Sequence, residues 1–171
     1  MLSKNDYLEE RITEYVVNQK ESFYRLAYSY VKNAEDALDI VQESVCKAIS
    51  SMDSLKNPDY IKTWFYKIVV NTSLDFIRKQ RKSVAVGEEV LSSFDFGAVD
   101  NYEDFDLQEA LDNLPAKYRT IVILRFFEDL KIDEIAEILN ENVNTVKTRL
   151  YKSLEILRIK LSDCEEVWNE G

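Results

Sequence analysis

The stretch Leu114–Leu161 reads LPAKYRTIVILRFFEDLKIDEIAEILNENVNTVKTRLYKSLEILRIKL, and its reading decides the fold. Two amphipathic segments lie inside it, parted by a short polar break. The first, Ile132–Leu139, carries Ile135, Ala136 and Leu139; the break is Asn140–Glu141. The second opens at Asn142, whose short side chain suits an N-cap. It carries Val146, Leu150, Leu154 and Leu157 at helical spacing. The small Ala136 lets the second helix cross close above the first. This spacing predicts a helix-turn-helix, in which the second helix enters the DNA major groove. On that helix Val146, Leu150, Leu154 and Leu157 are expected to point inward. Asn144, Thr148, Tyr151 and Lys152 are expected to point away, with Lys147 and Arg149 on the flanks. Lys and Arg read guanine, while Thr and Tyr contact bases or phosphates. An ordinary helical hairpin would explain the apolar stripe, but not the basic outer face that accompanies it.

Composition sets the class of the remainder. The chain has 171 residues and a formal net charge of -10, with only 3 Gly and 2 Pro, so helix is expected nearly throughout. No apolar run approaches the ~20 residues needed to span a bilayer, and no leader is visible. Direct membrane insertion is therefore not expected. The two cysteines, Cys46 and Cys164, lack metal-ligand spacing and there is no His, which argues against a metal site. No cofactor motif, Gly-rich phosphate loop or nucleophile–base pair is present, so no catalytic residue is assigned. The pattern suits a reduced, cytoplasmic protein.

An acidic balance argues against nucleic acid until its distribution is examined. Between positions 56 and 82 stand Lys56, Lys62, Lys67, Arg78, Lys79, Arg81 and Lys82 against Asp59 and Asp75. Between 142 and 160 stand Lys147, Arg149, Lys152, Arg158 and Lys160 against Glu155. From 83 to 110 there are eight acids and no base. Two basic blocks thus flank an acidic connector, and local potential governs phosphate binding more than the total does.

Periodicity places the other elements. Tyr7–Val31 reads as one or two helices burying Phe23, Leu26, Ala27 and Tyr30. Ala34–Met52 is a helix with Ala34, Ala37, Leu38, Val41, Val45, Ala48 and Ile49 on one side. Its other side carries an acidic arc, Glu35, Asp36, Asp39 and Glu43 with Gln42 among them and Asp36 at the edge, suited to a basic partner helix. Taken alone, such an arc is more often a solvated surface. After a loop at Asn57–Pro58, Ile61 to about Lys82 is a long helix expected to be buried on several sides. Along it Trp64, Lys67, Asn71, Asp75, Arg78 and Lys82 share a stripe. An aromatic ring followed by amides and cations suits single-stranded DNA. The alternative is a core tryptophan with a solvated face below it. The fold expected is all-α, with two small helical domains at 1–84 and 107–162, an acidic linker at 85–106 and a tail at 163–171.

Three segments together resemble the extracytoplasmic-function sigma factors of the sigma-70 family. DALDIVQESVCKAI (Asp36–Ile49) resembles the helix that binds core polymerase. IKTWFYKIVVNTSLDFIRKQRK (Ile61–Lys82) resembles the −10-element segment, and Leu114–Leu154 the −35-reading domain. The wording is most similar to the sigma-V type of Gram-positive bacteria. The resemblance implies a subunit that directs core RNA polymerase to promoters of cell-envelope stress genes. It implies that Asp36, Asp39, Gln42 and Glu43 meet the clamp helices of the largest subunit, and that the second domain reaches the −35-side flap. Lys56, Asn57, Trp64, Lys67, Asn71, Asp75 and Arg78 would line the melted −10 strand. Asn144, Lys147, Thr148, Arg149, Tyr151 and Lys152 would face the −35 duplex. A membrane-anchored anti-sigma factor would hold the subunit inactive, and the free chain would be a monomer. The pattern departs from the family at Asn140 and Asn144, where Gly is frequent, and at Glu141, where an apolar residue is usual. The competing reading is a stand-alone helix-turn-helix regulator of duplex operators. Such a regulator needs neither the Trp64 stripe nor the acidic arc.

Overall fold

The computed structural model describes residues 1–86 and 105–169. Eight α-helices carry the described chain. They are α1 (Lys4–Asn18), α2 (Lys20–Val31), α3 (Ala34–Ser50), α4 (Ile61–Val86), α5 (Phe105–Asp112), α6 (Ala116–Val122), α7 (Ile132–Leu139) and α8 (Val143–Asn169). Short 3-10 turns at Met52–Ser54 and Pro58–Tyr60 connect α3 to α4. Most of the expected acidic linker, 87–104, lies outside the described residues. Helix α4 extends past the expected end to Val86, and α8 continues through the expected tail to Asn169.

Local chemistry fixes the helix ends. Ser3 caps α1, exchanging bonds with Asp6, whose carboxyl is held below the usual carboxylate range mainly by the Ser3 hydroxyl. Asn33 caps α3, its Oδ1 accepting from the Asp36 N–H at 3.0 Å. Lys32 ahead of it takes a left-handed conformation at φ 52°, which ends α2. The tyrosine-rich α2 buries Phe23, Leu26 and Ala27, as its spacing predicts. Phe23 then meets Phe65 and Tyr66 of α4, with ring centroids 4.5 and 5.0 Å away.

Helix α3 turns differently from expectation. Its buried stripe is Ala37, Ile40, Ser44 and Ala48, while Val41, Val45 and Ile49 are half-buried and Ala34 is exposed. Leu38, expected inside, is 52% exposed. The stripe steps by three and four from Ala37, which leaves Leu38 about 100° away. Ser44 enters the core without penalty because its hydroxyl donates to the Ile40 carbonyl at 2.7 Å. Helix α4 is covered around much of its girth: Ile61, Thr63, Phe65, Tyr66, Val69, Val70, Thr72 and Ser73 are all buried.

The helices before and after the undescribed segment share one core. Phe23, Phe65, Tyr66 and Val69 belong to the same cluster as Leu124, Leu130, Ile135 and Val146. Helix α4 packs on α7, and α2 packs on α6. A π-turn at Ile123–Phe127 prepares the polar centre of this junction. The Glu128 N–H donates to the Ile123 carbonyl at 3.0 Å, and Asp129 follows at φ 53°. The Glu128 side chain is thereby turned inward and is only 2% exposed. Its Oε2 accepts from the Tyr66 hydroxyl at 2.9 Å and its Oε1 from Arg25 Nη1 at 3.3 Å. Burial, reinforced by the Glu128 charge, raises the ionisation of both Tyr66 and Tyr15 above the usual phenol range. A second tie joins Lys32 Nζ to the Asp112 carbonyl at 2.9 Å.

Candidate nucleic-acid and polymerase interfaces

The helix-turn-helix forms as its spacing predicts. Asn140 ends α7 in the left-handed region at φ 53° and ψ 46°. Asn tolerates that conformation because its short amide bonds locally. The Glu141 N–H then donates to the Ala136 carbonyl at 2.9 Å, closing the turn. Asn142 caps α8, with Oδ1 accepting from the Asn144 N–H at 2.8 Å. Ile135, Ala136 and Ile138 of α7 are buried against Val146 and Leu150.

Helix α8 corrects one expectation. Its inner stripe is Val146, Leu150, Ser153 and Leu157, and Leu154 is 37% exposed. The 4–3–4 steps bring Ser153 inward, and its hydroxyl donates to the Arg149 carbonyl at 2.6 Å. The outer face holds Asn144, Lys147, Thr148, Tyr151 and Lys152, all exposed. The Thr148 hydroxyl donates to the Asn144 carbonyl at 2.9 Å, so its oxygen lone pairs and methyl group remain for a ligand. Lys152 Nζ lies 5.8 Å from the ring centroid of Tyr118, and Lys117 Nζ lies 5.1 Å from the same ring. The outer face therefore extends onto α6. Sequence reading missed this because Lys117 and Tyr118 sit more than thirty positions earlier in the chain. Arg149, expected on a flank, is half-buried and paired to Glu141 at 3.1 Å.

On α4 the expected stripe is one surface. Lys67, Asn71, Arg78 and Lys82 are exposed, and Trp64 and Asp75 are half-exposed. Trp64 Nε1 donates to the Ser54 hydroxyl at 3.0 Å, which fixes the ring at the head of the stripe. Lys56 and Asn57 are both exposed, and Asn57 Oδ1 is committed to capping the turn at Asp59 N–H, 3.0 Å away. Asp75 bridges Arg78 at 3.1 Å and Lys47 at 3.7 Å. It offsets cations rather than standing free.

The acidic arc on α3 lies open over Asp39, Gln42 and Glu43, with Cys46 one turn further on the same face. Asp36 is half-buried, and its Oδ2 accepts from Gln80 Nε2 at 3.4 Å. Glu43 pairs with Lys47 at 3.6 Å. The exposed Leu38 adds an apolar anchor beside these charges. Among the described residues no group of His, Cys, Asp and Glu could hold a metal ion. No described helix is long and apolar enough to cross a membrane.

Comparison with known proteins identifies the arrangement. Residues 18–83 match the model for Sigma-70 region 2, and residues 104–157 match Sigma-70, region 4. The chain is 58% identical over 147 residues to RNA polymerase sigma factor SigV of Bacillus subtilis (strain 168). That match covers 86% of this chain and 89% of that protein. This chain is an extracytoplasmic-function sigma factor. It is also 33% identical to ECF RNA polymerase sigma factor SigW of the same organism, over 84% of this chain and 85% of that protein. The fold of this sigma factor resembles that of RpoE in its complex with the anti-sigma factor NepR from Bartonella quintana. There the TM-score is 0.74 at 22% identity, covering 88% of this chain and 96% of that one. It also resembles CnrH in complex with the cytosolic domain of CnrY, with a TM-score of 0.65 at 19% identity and coverage of 89% and 88%. Family membership removes the stand-alone regulator from consideration. As a sigma factor the protein binds core RNA polymerase and directs initiation at −10/−35 promoters.

Proposed function

We propose that this sigma factor divides promoter recognition among three surfaces described above. The outer face of α8, with Asn144, Lys147, Thr148, Tyr151 and Lys152, reads the −35 duplex. The stripe Trp64, Lys67, Asn71, Asp75 and Arg78, with Lys56 and Asn57 at its head, lies along the melted −10 strand. The arc Asp36, Asp39, Gln42 and Glu43 docks on the polymerase clamp. The observation that carries this division is that both basic helix faces are exposed on a body that also shows an acidic docking face. The sigma factor supplies recognition and strand capture rather than bond chemistry. Its own surfaces recover the few kcal/mol that unstacking a base requires.

Its setting follows the family. The protein acts in the cytoplasm on promoters of envelope-stress genes, and an anti-sigma factor holds it inactive. The likeness to RpoE, captured with the anti-sigma factor NepR, supports the last of these. The test is reconstitution with core polymerase on a template bearing both elements. Promoter-specific transcripts are expected, and their loss when either basic face is neutralised. Transcription that ignores substitutions on both faces would refute the division.

A further inference from the structure

Among the described residues, Arg149 is the cation of the recognition helix held in an ion pair. Its Nη1 donates to Oε1 of Glu141 at 3.1 Å, across the turn that joins α7 to α8. The two side chains are 27% and 36% exposed, so water reaches the pair without surrounding it. Glu141 is anchored, since its backbone N–H closes the turn onto Ala136 and Asn140 before it holds a left-handed bend. Arg149 also lines a shallow groove with Asn144, Thr145 and Thr148 at the entry to α8. A DNA phosphate arriving at this groove meets a guanidinium whose charge is already balanced. By contrast, Lys147 and Lys152 are exposed on the same helix.

We propose that Glu141 is an affinity-setting residue that masks Arg149 from DNA phosphate, so that α8 grips the duplex with one backbone contact fewer than its basic residues would provide. This deepens the reading of α8 as the −35 helix and rests on it. Binding to any duplex scales with the phosphates a protein neutralises, whereas base contacts carry the sequence information. A carboxylate built into the turn lowers the first contribution and leaves the second. The base-reading groups Thr148 and Lys152 then supply a larger share of the binding.

The test uses the full chain assembled with core polymerase, on a duplex fragment that carries the −35 element and ends upstream of the melted region. Affinity is measured over a range of salt for wild type, Glu141→Gln, Arg149→Ala and the double variant. Glu141→Gln is expected to bind more tightly at low salt, on matched and scrambled −35 sequences alike. Its plot of log affinity against log salt should steepen by about one unit, the contribution of one phosphate contact. Arg149→Ala and the double variant should keep the wild-type slope, because no further cation is released. Glu137→Gln, which removes an exposed acid from α7, should also keep it. An unchanged slope for Glu141→Gln overturns the proposal. So does a slope lowered by a full unit in Arg149→Ala, which would mean that Arg149 already contacts phosphate. Lys147→Ala and Lys152→Ala serve as the separate control. If both leave binding unchanged, the assignment of α8 to the −35 duplex itself falls, and the masking role with it.

Discussion

Single residues here carry two kinds of testable consequence. Tyr30 of α2 faces Thr120 and Arg119 of α6. Burial pushes its phenol up to about 12, against a smaller opposing effect from the Thr120 hydroxyl and Arg119. A raised phenol favours the neutral form in the folded state. Its stabilising effect is complete below the unfolded value of 10.0 and is lost as pH climbs toward about 12. Chemical denaturation between those values should show falling stability with rising pH, and Tyr30→Phe should flatten part of that decline. Tyr15 and Tyr66, which shift in the same direction, add to the decline, and Lys32, lowered by burial, opposes it. Thr148 and Lys152 make the second case. Both are exposed, so truncation spares the core. Lys152→Ala and Thr148→Ala are each expected to relax preference at particular −35 base pairs by roughly 1–3 kcal/mol. In vitro transcription on a library of substituted −35 elements would reveal this, and an unchanged promoter profile would remove them from the readout.

Whole helices were legible to different depths. The turn between α7 and α8 is written in residues a few positions apart. Asn140, Asn142, Ala136 and Val146 act on near neighbours, and each behaves as its type predicts. The phase of α3 and α8 was less legible. Periodicity finds an apolar side but not its centre, and a serine that bonds its own helix can take a core place from a leucine. That exchange moved Ser44 and Ser153 inward and left Leu38 and Leu154 exposed. On α3 the exchange has a functional side, since Leu38 now stands beside Asp39, Gln42 and Glu43. Asp39→Arg is expected to leave helicity unchanged and weaken polymerase binding severalfold or more, since like charges would meet across the interface. Glu43→Arg would also disturb Lys47 and through it Asp75, so the Asp39 substitution is the cleaner probe. Cys46 offers an independent readout: added core polymerase should slow alkylation of this exposed thiol. Equal alkylation rates with and without polymerase would move the docking surface elsewhere.

At the scale of the molecule, the sequence was least informative. Glu128 meets Tyr66 across 62 positions and Arg25 across 103, and no local pattern marks a pairing at such range. Yet this contact joins the two halves. Promoter elements named for positions 35 and 10 lie about 25 base pairs apart, or about 85 Å along duplex at ~34 Å per ten base pairs, which is about twice the ~40 Å length of α8, the longest described helix. Glu128→Ala leaves the Tyr66 hydroxyl without its acceptor, at a cost of about 1–3 kcal/mol. Its melting temperature should fall, and its radius of gyration by small-angle scattering should rise. An unchanged scattering profile alongside a lowered melting temperature would confine Glu128 to local stability.

Glu128 has a consequence beyond shape. A ligand that fits only the parted halves binds with an apparent affinity reduced by the fraction of molecules already open. Were core polymerase such a ligand, each kilocalorie held in the Glu128 contacts would be subtracted from the grip on it. Where several sigma factors draw on one pool of core enzyme, the strength of one buried carboxylate's bonds would then become a rank in that competition. Weakening those bonds should make a less stable protein into a stronger competitor.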